Sequence, residues 1–343
     1  MSSHAERTTE IINETARPKT TRAEAADDCP LCGAPALWAT GDAFDMADIL
    51  RRWEKEMSVK FTEAVWDDYT RPRAPRVTLH RCARCAFAVF RPVIAGTADF
   101  YECITVSDGS CYTAGKWEFE QAVKDIRRHN CRRVLDIGSG SGYFLDLLRE
   151  RLSVEAAGFE FNPEMAALVR QKGHTIYSGS SPEAALSDAD RVSFDAVCIF
   201  QVLEHVADPV ALLDSARRLL KPGGLLVVAV PDNEGPVRHF STFLTELPPH
   251  HVSRWRASTF KIGLARRGFQ LLRIAREPLP AYLYADYLPV MLERSRALPR
   301  ALSSALKKNN RLVRLVNRLG LKHLPGVPGH SIYVAARKKT ERS

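Results

Sequence analysis

No stretch of this 343-residue chain approaches the roughly 18 consecutive apolar residues of a membrane-spanning helix. The polar N-terminus lacks the apolar centre of a secretory signal, so the expected compartment is the cytoplasm. Residues 1–27 carry charge without hydrophobic period, which predicts a disordered tail. Four of the eight cysteines, Cys103, Cys111, Cys131 and Cys198, have no partner at metal-ligand spacing and read as ordinary thiols. The glycine-rich turn in mid-chain also lacks the Gly-x-Gly-x-x-Gly step that seats a pyrophosphate on a helix N-terminus. What is left is an ordinary globular composition, 45% apolar and 26% charged, in a chain long enough for one large domain with a small appendage.

The run Arg133-Val134-Leu135-Asp136-Ile137-Gly138-Ser139-Gly140-Ser141-Gly142 is an apolar strand that reaches an acid and opens into a glycine turn. Glycine at 138, 140 and 142 lets backbone approach a ligand closely, and Tyr143 onward continues as a helix whose N-terminus faces the same spot. Val154 to Glu160 reads as the second strand, ending in a carboxylate 22 residues after Gly138, where a βαβ unit presents an acid to ribose hydroxyls. The Asp-x-Gly-x-Gly-x-Gly spacing suits a ligand without phosphates. Phe194 to Phe200 is a further buried strand; a helix from 209 to 220, a Lys-Pro-Gly-Gly turn and an apolar strand, Leu225 to Val230, follow it.

Taken in order, VLDIGSGSG, GFE, FDAV, QVLEHV and LLKPGGLLVVAVP resemble the class I S-adenosylmethionine-dependent methyltransferases over residues 118 to about 278 and again at 331–338. The resemblance implies an α/β, Rossmann-like fold with a seven-stranded, mostly parallel sheet whose last strand, Ser331 to Arg337, runs antiparallel beside Phe269 to Arg276. It implies that Asp136, Gly138, Ser139, Gly140, Gly142, Tyr143 and Gln201 line the S-adenosylmethionine site, that Glu160 holds the ribose hydroxyls, and that Phe161 borders the adenine. Many members place an aspartate after the third strand; here Tyr177-Ser178-Gly179-Ser180-Ser181 offers serines.

Cys29-Pro-Leu-Cys32 and Cys82-Ala-Arg-Cys85 are two matched Cys-x-x-Cys turns, each able to point two thiolates at one structural Zn2+. The 49 residues between them exceed the roughly 15–20 of a zinc ribbon, and Met46 to Trp53 has the period of an inserted helix. Residues 28–105 are therefore expected to form a zinc-binding module ahead of a methyltransferase domain at 106–343. The paired turns resemble the cysteine-rich segment ahead of some bacterial sugar C-methyltransferases and ribosomal RNA guanine methyltransferases.

The net charge of +9 is concentrated late: nine basic residues and one acid, Glu293, lie between Met291 and His323. Interleaved Leu306, Val313, Leu315, Val316, Leu319 and Leu321 suit amphipathic helices, a basic insertion within 279–330. An anionic small-molecule or carrier-linked acceptor, or peripheral membrane contact through 291–323, would use that face, as would RNA. Nucleic acid is the weaker partner, because the bases do not surround the cysteine turns and no Asn-Pro-Pro-Tyr motif for amino-group methylation follows the fourth strand.

Methyl transfer to a hydroxyl needs a base, and His250, His251 and His205 are the candidates. Pro248-Pro249-His250-His251 follows the fifth strand, where loops cover the acceptor pocket, and resembles the Pro-His-His segment of related enzymes. Arg254 and Trp255 are candidates for orienting the acceptor. Gln201-Val-Leu-Glu204-His205-Val is similar to the Glu-Val-Leu-Glu-His-Val stretch of ubiquinone-type O-methyltransferases, with Gln201 at the first metal-holding acid, so no catalytic metal is expected from that motif. The expected activity is methylation of a polar acceptor such as a sugar, at oxygen. The alternatives are an RNA base methyltransferase, a C-methyltransferase of a nucleotide sugar, and a non-catalytic, zinc-organised scaffold.

Overall fold

The computed structural model describes residues 28–340 apart from 36, 72–74, 108–114, 187–191, 241, 285–286, 288–289 and 292–322. The 1–27 tail, Cys111 and nearly all of the basic segment at 291–323 lie outside the described residues.

In chain order, strand β1 (Trp38–Asp45) leads into helices α1 (Met46–Glu56) and α2 (Glu63–Thr70), then strands β2 (Arg76–Arg81) and β3 (Ala88–Arg91) and helix α3 (Ala98–Ser107). Next come α4 (Trp117–Arg128), β4 (Arg133–Ile137), α5 (Tyr143–Arg151), β5 (Glu155–Glu160), α6 (Pro163–Gln171), β6 (Thr175–Ser178) and the short α7 (Pro182–Ala185). The chain continues through β7 (Phe194–Phe200), α8 (Pro209–Leu219), β8 (Leu220–Pro231), β9 (Ser253–Arg254), α9 (Ala257–Arg266), β10 (Phe269–Pro280) and β11 (His323–Lys338). Local chemistry sets several of these boundaries. Asp45 caps α1 through bonds from the Ala47 and Asp48 amides, while Asn162 and Asp208 cap α6 and α8 directly ahead of prolines at the first helical position.

The large sheet has the order β10-β11-β8-β7-β4-β5-β6; β4 to β8 run parallel, and β11 lies antiparallel between β8 and β10. This is the expected seven-stranded arrangement, with β10 and β11 both reaching into the segment expected as insertion. Parallel strands buried on both faces read as continuous apolar runs. Val134, Ala196, Cys198, Val227 and Ala229 meet α4 and α5 on one face, while Leu135, Ile137, Val197, Ile199 and Val228 meet α8 and α9 on the other.

A second, antiparallel sheet has the order β1-β2-β3-β9. Its fourth strand comes from beyond β8, with Ala88 opposite Arg254 and Val89 opposite Ser253. The N-terminal segment is joined to the large domain in a second way. Cys29, Leu31, Cys32, Cys82, Cys85 and Phe87 share one apolar cluster with Phe260 and Leu264 of α9. Leu31 presses so closely on α9 that a Cβ on Gly263 would lie 2.7 Å from its side chain. Thr259 Oγ1 donates to the Cys85 carbonyl at 2.9 Å, and Arg267 donates to that of Leu31 at 2.7 Å. The inserted helix expected from 46 to 53 is α1, whose Met46, Ile49, Leu50 and Trp53 form a separate core with α2, α3, β2 and β3. Among the described residues no helix is long and apolar enough to cross a membrane.

Candidate functional site

The chain builds outward from β4 through β5 to β6, then returns to place β7 against the other side of β4. The carboxyl ends of β4 and β7 therefore flank the switch point at which open α/β sheets bind ligands. The glycine turn leaves β4 there, and residues 201–205 leave β7.

Gly138, Gly140 and Gly142 all have positive φ, +80°, +52° and +77°. Gly138 has no room for a side chain: an added Cβ would lie 2.4 Å from Val202 Cγ2. The turn is tied to β5, since the Gly138 and Ser139 amides both donate to the Phe159 carbonyl, at 2.7 and 3.1 Å. Ser139 spends its hydroxyl on the Asp136 carbonyl at 2.9 Å, so it locks the loop from within. Glu160 closes the far side: Oε2 accepts from the Gly140 amide at 2.7 Å and Oε1 from the Asn162 amide at 3.0 Å. Asp136 is buried with Oδ1 lacking a hydrogen-bond partner, and burial, with the Glu160 charge, pushes its carboxyl up to about 8. Phe161 is 40% exposed with its ring edge-on to Phe159 at 4.9 Å. The loop residues, Glu160 and Phe161 thus come together as a cradle at one sheet edge. Tyr143 opens α5 and stacks on Phe119, itself packed on Phe144 and Phe200 in the core. Gln201 is the exception in its bonding: at φ +54° its amide nitrogen donates to Glu118 and Ser331, both at 3.1 Å, tying α4 to β11. Ser181, the serine offered after the third strand, caps α7 instead.

The three histidines converge, although 45 residues separate His205 from His250. The His250 and His251 rings stack with centroids 4.6 Å apart, and the His205 ring stands edge-on to both at 4.6 Å. His205 Nδ1 lies 2.8 Å from the His250 carbonyl and 3.0 Å from the Tyr101 hydroxyl. His251 Nδ1 faces Glu246 Oε1 at 3.3 Å, and Asn233 Nδ2 donates to Glu246 Oε2 at 3.1 Å. Burial and His251 push His205 down to about 3; burial, with its two neighbours, drives His250 well below its ordinary value. Burial works to raise the Glu246 carboxyl, but His251, with His330 and Arg254, overcomes it and holds the group at about 2. Glu204 is buried with neither oxygen hydrogen-bonded, and burial lifts it to about 7.

Sequence reasoning weighed His250 and His251 as a pair, with His205 apart from them, and passed over Tyr101, Asn233 and Glu246. No spacing rule links positions so far apart, although Glu246 stands only five residues before His251. Arg254 and Trp255, expected to orient an acceptor, are buried instead. Trp255 packs between Phe87 and Phe260, its indole nitrogen donates to Ser253, and the Arg254 guanidinium lies over Phe90.

The four predicted cysteines meet as one buried cluster, with Cys29 Sγ 3.7 Å from Cys85 Sγ and Cys32 Sγ 3.5 Å from Cys82 Sγ. Tetrahedral Zn–S bonds of ~2.3 Å put thiolates about 3.75 Å apart, so the cluster fits that ion. Its two turns are built alike. The residue after each second cysteine, Gly33 and Ala86, has left-handed φ and donates its amide to the first cysteine's carbonyl, at 2.8 and 3.0 Å.

Residues 114–274 match the family described as "Methyltransferase domain". Ubiquinone biosynthesis O-methyltransferase from Cereibacter sphaeroides is 40% identical over 100 residues, 28% of this chain and 39% of that protein. Its counterpart from Roseobacter denitrificans is 32% identical over 143 residues, 40% of this chain and 55% of that protein. The chain thus spans roughly two fifths to just over half the length of these curated relatives. A SAM-dependent methyltransferase from Archaeoglobus fulgidus has a TM-score of 0.42 at 22% identity, covering 64% of this chain and 94% of that one. A putative methyltransferase of Haloferax volcanii, solved with the Trm112 activator, has a TM-score of 0.44 at 19% identity, covering 65% and 90%. Residues 114–274 thus match a methyltransferase domain, within which the structure shows this strand order and the loop at the switch point, and a four-cysteine cluster precedes it.

Proposed function

We propose that the protein transfers a methyl group from S-adenosylmethionine to an oxygen of a small or carrier-linked polar acceptor. The observation that carries this reading is the cradle at 138–142, whose Gly138 a Cβ would fill and whose Gly140 amide is held by the Glu160 carboxylate. S-adenosylmethionine, when bound, supplies an electrophilic methyl carbon. Gly138, Gly140 and Gly142 let backbone approach its methionine part, Glu160 has lone pairs left for the ribose hydroxyls, and exposed Phe161 offers a face to the adenine. Asp136, which burial keeps largely protonated at neutral pH, can donate as well as accept a hydrogen bond there. When the acceptor hydroxyl attacks, its proton passes to the histidine cluster. His251 is the member suited to take it, because Glu246 faces Nδ1 and leaves Nε2 for the incoming proton.

The relatives' names support methylation at oxygen, and a sugar rests only on the resemblance of the cysteine turns. We infer a structural Zn2+ at Cys29, Cys32, Cys82 and Cys85, the four thiolates closing the site.

Calorimetry with S-adenosylmethionine tests the cofactor site: Glu160→Ala should weaken binding at least tenfold, as expected when charge-assisted hydrogen bonds are lost. Methyl incorporation into a panel of catechol, quinol and sugar acceptors then identifies the substrate, and His251→Ala should lower turnover by about 10²–10⁴ at unchanged cofactor affinity. Wild-type protein that folds and binds no S-adenosylmethionine would refute the reading.

A further inference from the structure

The acceptor side carries a fourth imidazole, which the proposed methyl transfer leaves unused. His330 stands in β11 one residue before Ser331, where β11 begins its pairing with β8. Its backbone is held from two directions: the amide donates to Glu277 Oε2 at 3.1 Å, and the carbonyl accepts from the Asp232 amide at 2.7 Å. A Cβ on Gly329 would stand 3.0 Å from the Pro278 carbonyl, so the preceding residue lies close against β10. On the other side the Ser331 hydroxyl accepts from Gln201, the first residue after β7. The sheet therefore sets the point from which the His330 ring projects, at the carboxyl ends of β7 and β8.

One nitrogen of that ring is engaged. His330 Nδ1 lies 2.9 Å from the Tyr287 hydroxyl. Tyr287 is itself fixed, for it is buried and stacks on Phe240 at 4.7 Å in an apolar cluster with Val237, Leu279 and Tyr284. His330 Nε2 has no hydrogen-bond partner among the described residues, and the residue is partly exposed. A chain of contacts runs from His330 to the proposed base. Asp232, which meets the His330 carbonyl, is followed by Asn233, which donates to Glu246, and Glu246 faces His251. Desolvation, against the pull of the Glu246 charge, holds His330 below its ordinary value, so the ring is neutral at pH 7. A neutral imidazole suits an uncharged hydroxyl or carbonyl oxygen, whereas a phosphate or carboxylate calls for a cation.

We propose that His330, oriented by Tyr287, binds a second oxygen of the acceptor through Nε2, beside the hydroxyl whose proton passes to His251. The acceptor class is then a compound with at least two oxygens, one methylated and one left as an uncharged hydroxyl or carbonyl, rather than a simple alcohol or phenol. His330 touches the acceptor without forming a covalent bond to it, and Tyr287 is a positioning residue that acts through the ring it holds. The inference rests on the methyltransferase reading, since the oxygen it binds belongs to that reaction's acceptor.

The test reads selectivity on the full chain. Catechol is paired with phenol, and each sugar with its monodeoxy analogues, and kcat/KM is measured for both members of every pair. Wild type should prefer the member with the further oxygen by about tenfold or more, because a buried polar atom left without its partner costs that much. His330→Ala should bring the two members to within about threefold, and Tyr287→Phe should shift the ratio the same way by a smaller factor. His330→Gln, whose amide tip reaches toward the position of Nε2, should keep most of the preference. A purely structural role would slow both members alike, so an unchanged ratio in His330→Ala, or no preference in wild type, overturns the proposal. Where His330→Ala fails to fold, Tyr287→Phe carries the comparison, since it removes a single oxygen. Carbethoxylation of wild type by diethylpyrocarbonate at pH 7, mapped by mass spectrometry, needs no acceptor. His330 should react through its open nitrogen, and an unreactive His330 also overturns the proposal. S-adenosylmethionine calorimetry on the same samples separates the two readings: wild type that binds none refutes the methyltransferase reading, whereas intact binding with an unchanged ratio refutes only the role of His330.

Discussion

Gly138→Ala tests whether the cradle's shape comes from backbone that cannot accept a side chain. Two costs are readable. At φ +80° an L-residue loses about 1–2 kcal/mol. The new Cβ, 2.4 Å from Val202 Cγ2, forces the loop or Val202 aside, and overpacking of this kind costs about 1–3 kcal/mol. Together they predict about 2–5 kcal/mol of destabilisation in urea unfolding, with weaker S-adenosylmethionine binding if the displaced loop is the binding surface proposed above. The two costs separate in a double-mutant cycle. Val202→Ala alone removes two buried methyl groups and costs about 2 kcal/mol. In the double mutant the clash disappears and the left-handed penalty remains, so the two substitutions should couple favourably by about 1–3 kcal/mol. Additivity within about 0.5 kcal/mol would refute the steric argument, because residues that do not touch add to that accuracy.

Cys29→Ser should abolish zinc at the thiolate site and lower stability by about 4 kcal/mol at free zinc near 1,000 times the dissociation constant, checked by metal analysis and thermal unfolding. Unchanged zinc content would contradict a four-thiolate site. Stability should also depend on pH through His205, held down to about 3 mainly by burial. Between that value and its ordinary 6.5 the unfolded chain binds the extra proton, so stability rises with pH across this window and is lost as pH falls through it. At about 1.36 kcal/mol per unit the contribution is at most roughly 5 kcal/mol. Unfolding of wild type and His205→Gln at pH 4.5 and 7.5 measures it: the difference between the two pH values should shrink by a few kcal/mol in the variant, and an identical difference in both would refute the assignment.

The sheet was legible because each strand carries its own signal. Val134 to Ile137, Phe194 to Phe200 and Leu225 to Val230 are short apolar runs bounded by turn residues, and parallel strands buried on both faces need nothing more. The cradle was legible for a related reason: positive φ at Gly138 and Gly142 leaves a mark in composition at the position that needs it. The four-cysteine cluster was legible from spacing alone, since each turn supplies two thiols from four residues. The histidine site was not. Its carboxylate support comes from Glu246, its hydroxyl neighbour from Tyr101 in α3, and its amide from Asn233, and these meet only because two sheets pack together. Arg254 and Trp255 misled for the opposite reason. Polar and aromatic residues beside a candidate base look like an acceptor site, whereas Arg254 pairs with β3 as part of β9, Trp255 bridges to Asp232, and both side chains are buried.

That pairing also ties the N-terminal segment to the histidine cluster. The Val252 carbonyl accepts from the Phe90 amide of β3 at 3.0 Å, while the Val252 and Ser253 amides donate to the Glu204 carbonyl at 2.8 and 3.3 Å. The residues directly after His251 are therefore stitched on one side to the small sheet and on the other to the chain leaving β7. The same small unit supplies the walls of the cluster: Trp53 of α1 lies edge-on to His250 at 5.8 Å, and Tyr101 of α3 lies 5.9 Å from both His205 and His250. The cysteine turns anchor this unit to α9 through Leu31, Thr259 and Arg267. The large sheet alone accounts for the cradle, and Glu246 and Asn233 face His251 from the segment after β8, but His205 and His250 are packed against side chains of the small unit. In this chain the N-terminal segment therefore supplies part of the wall around the histidine cluster.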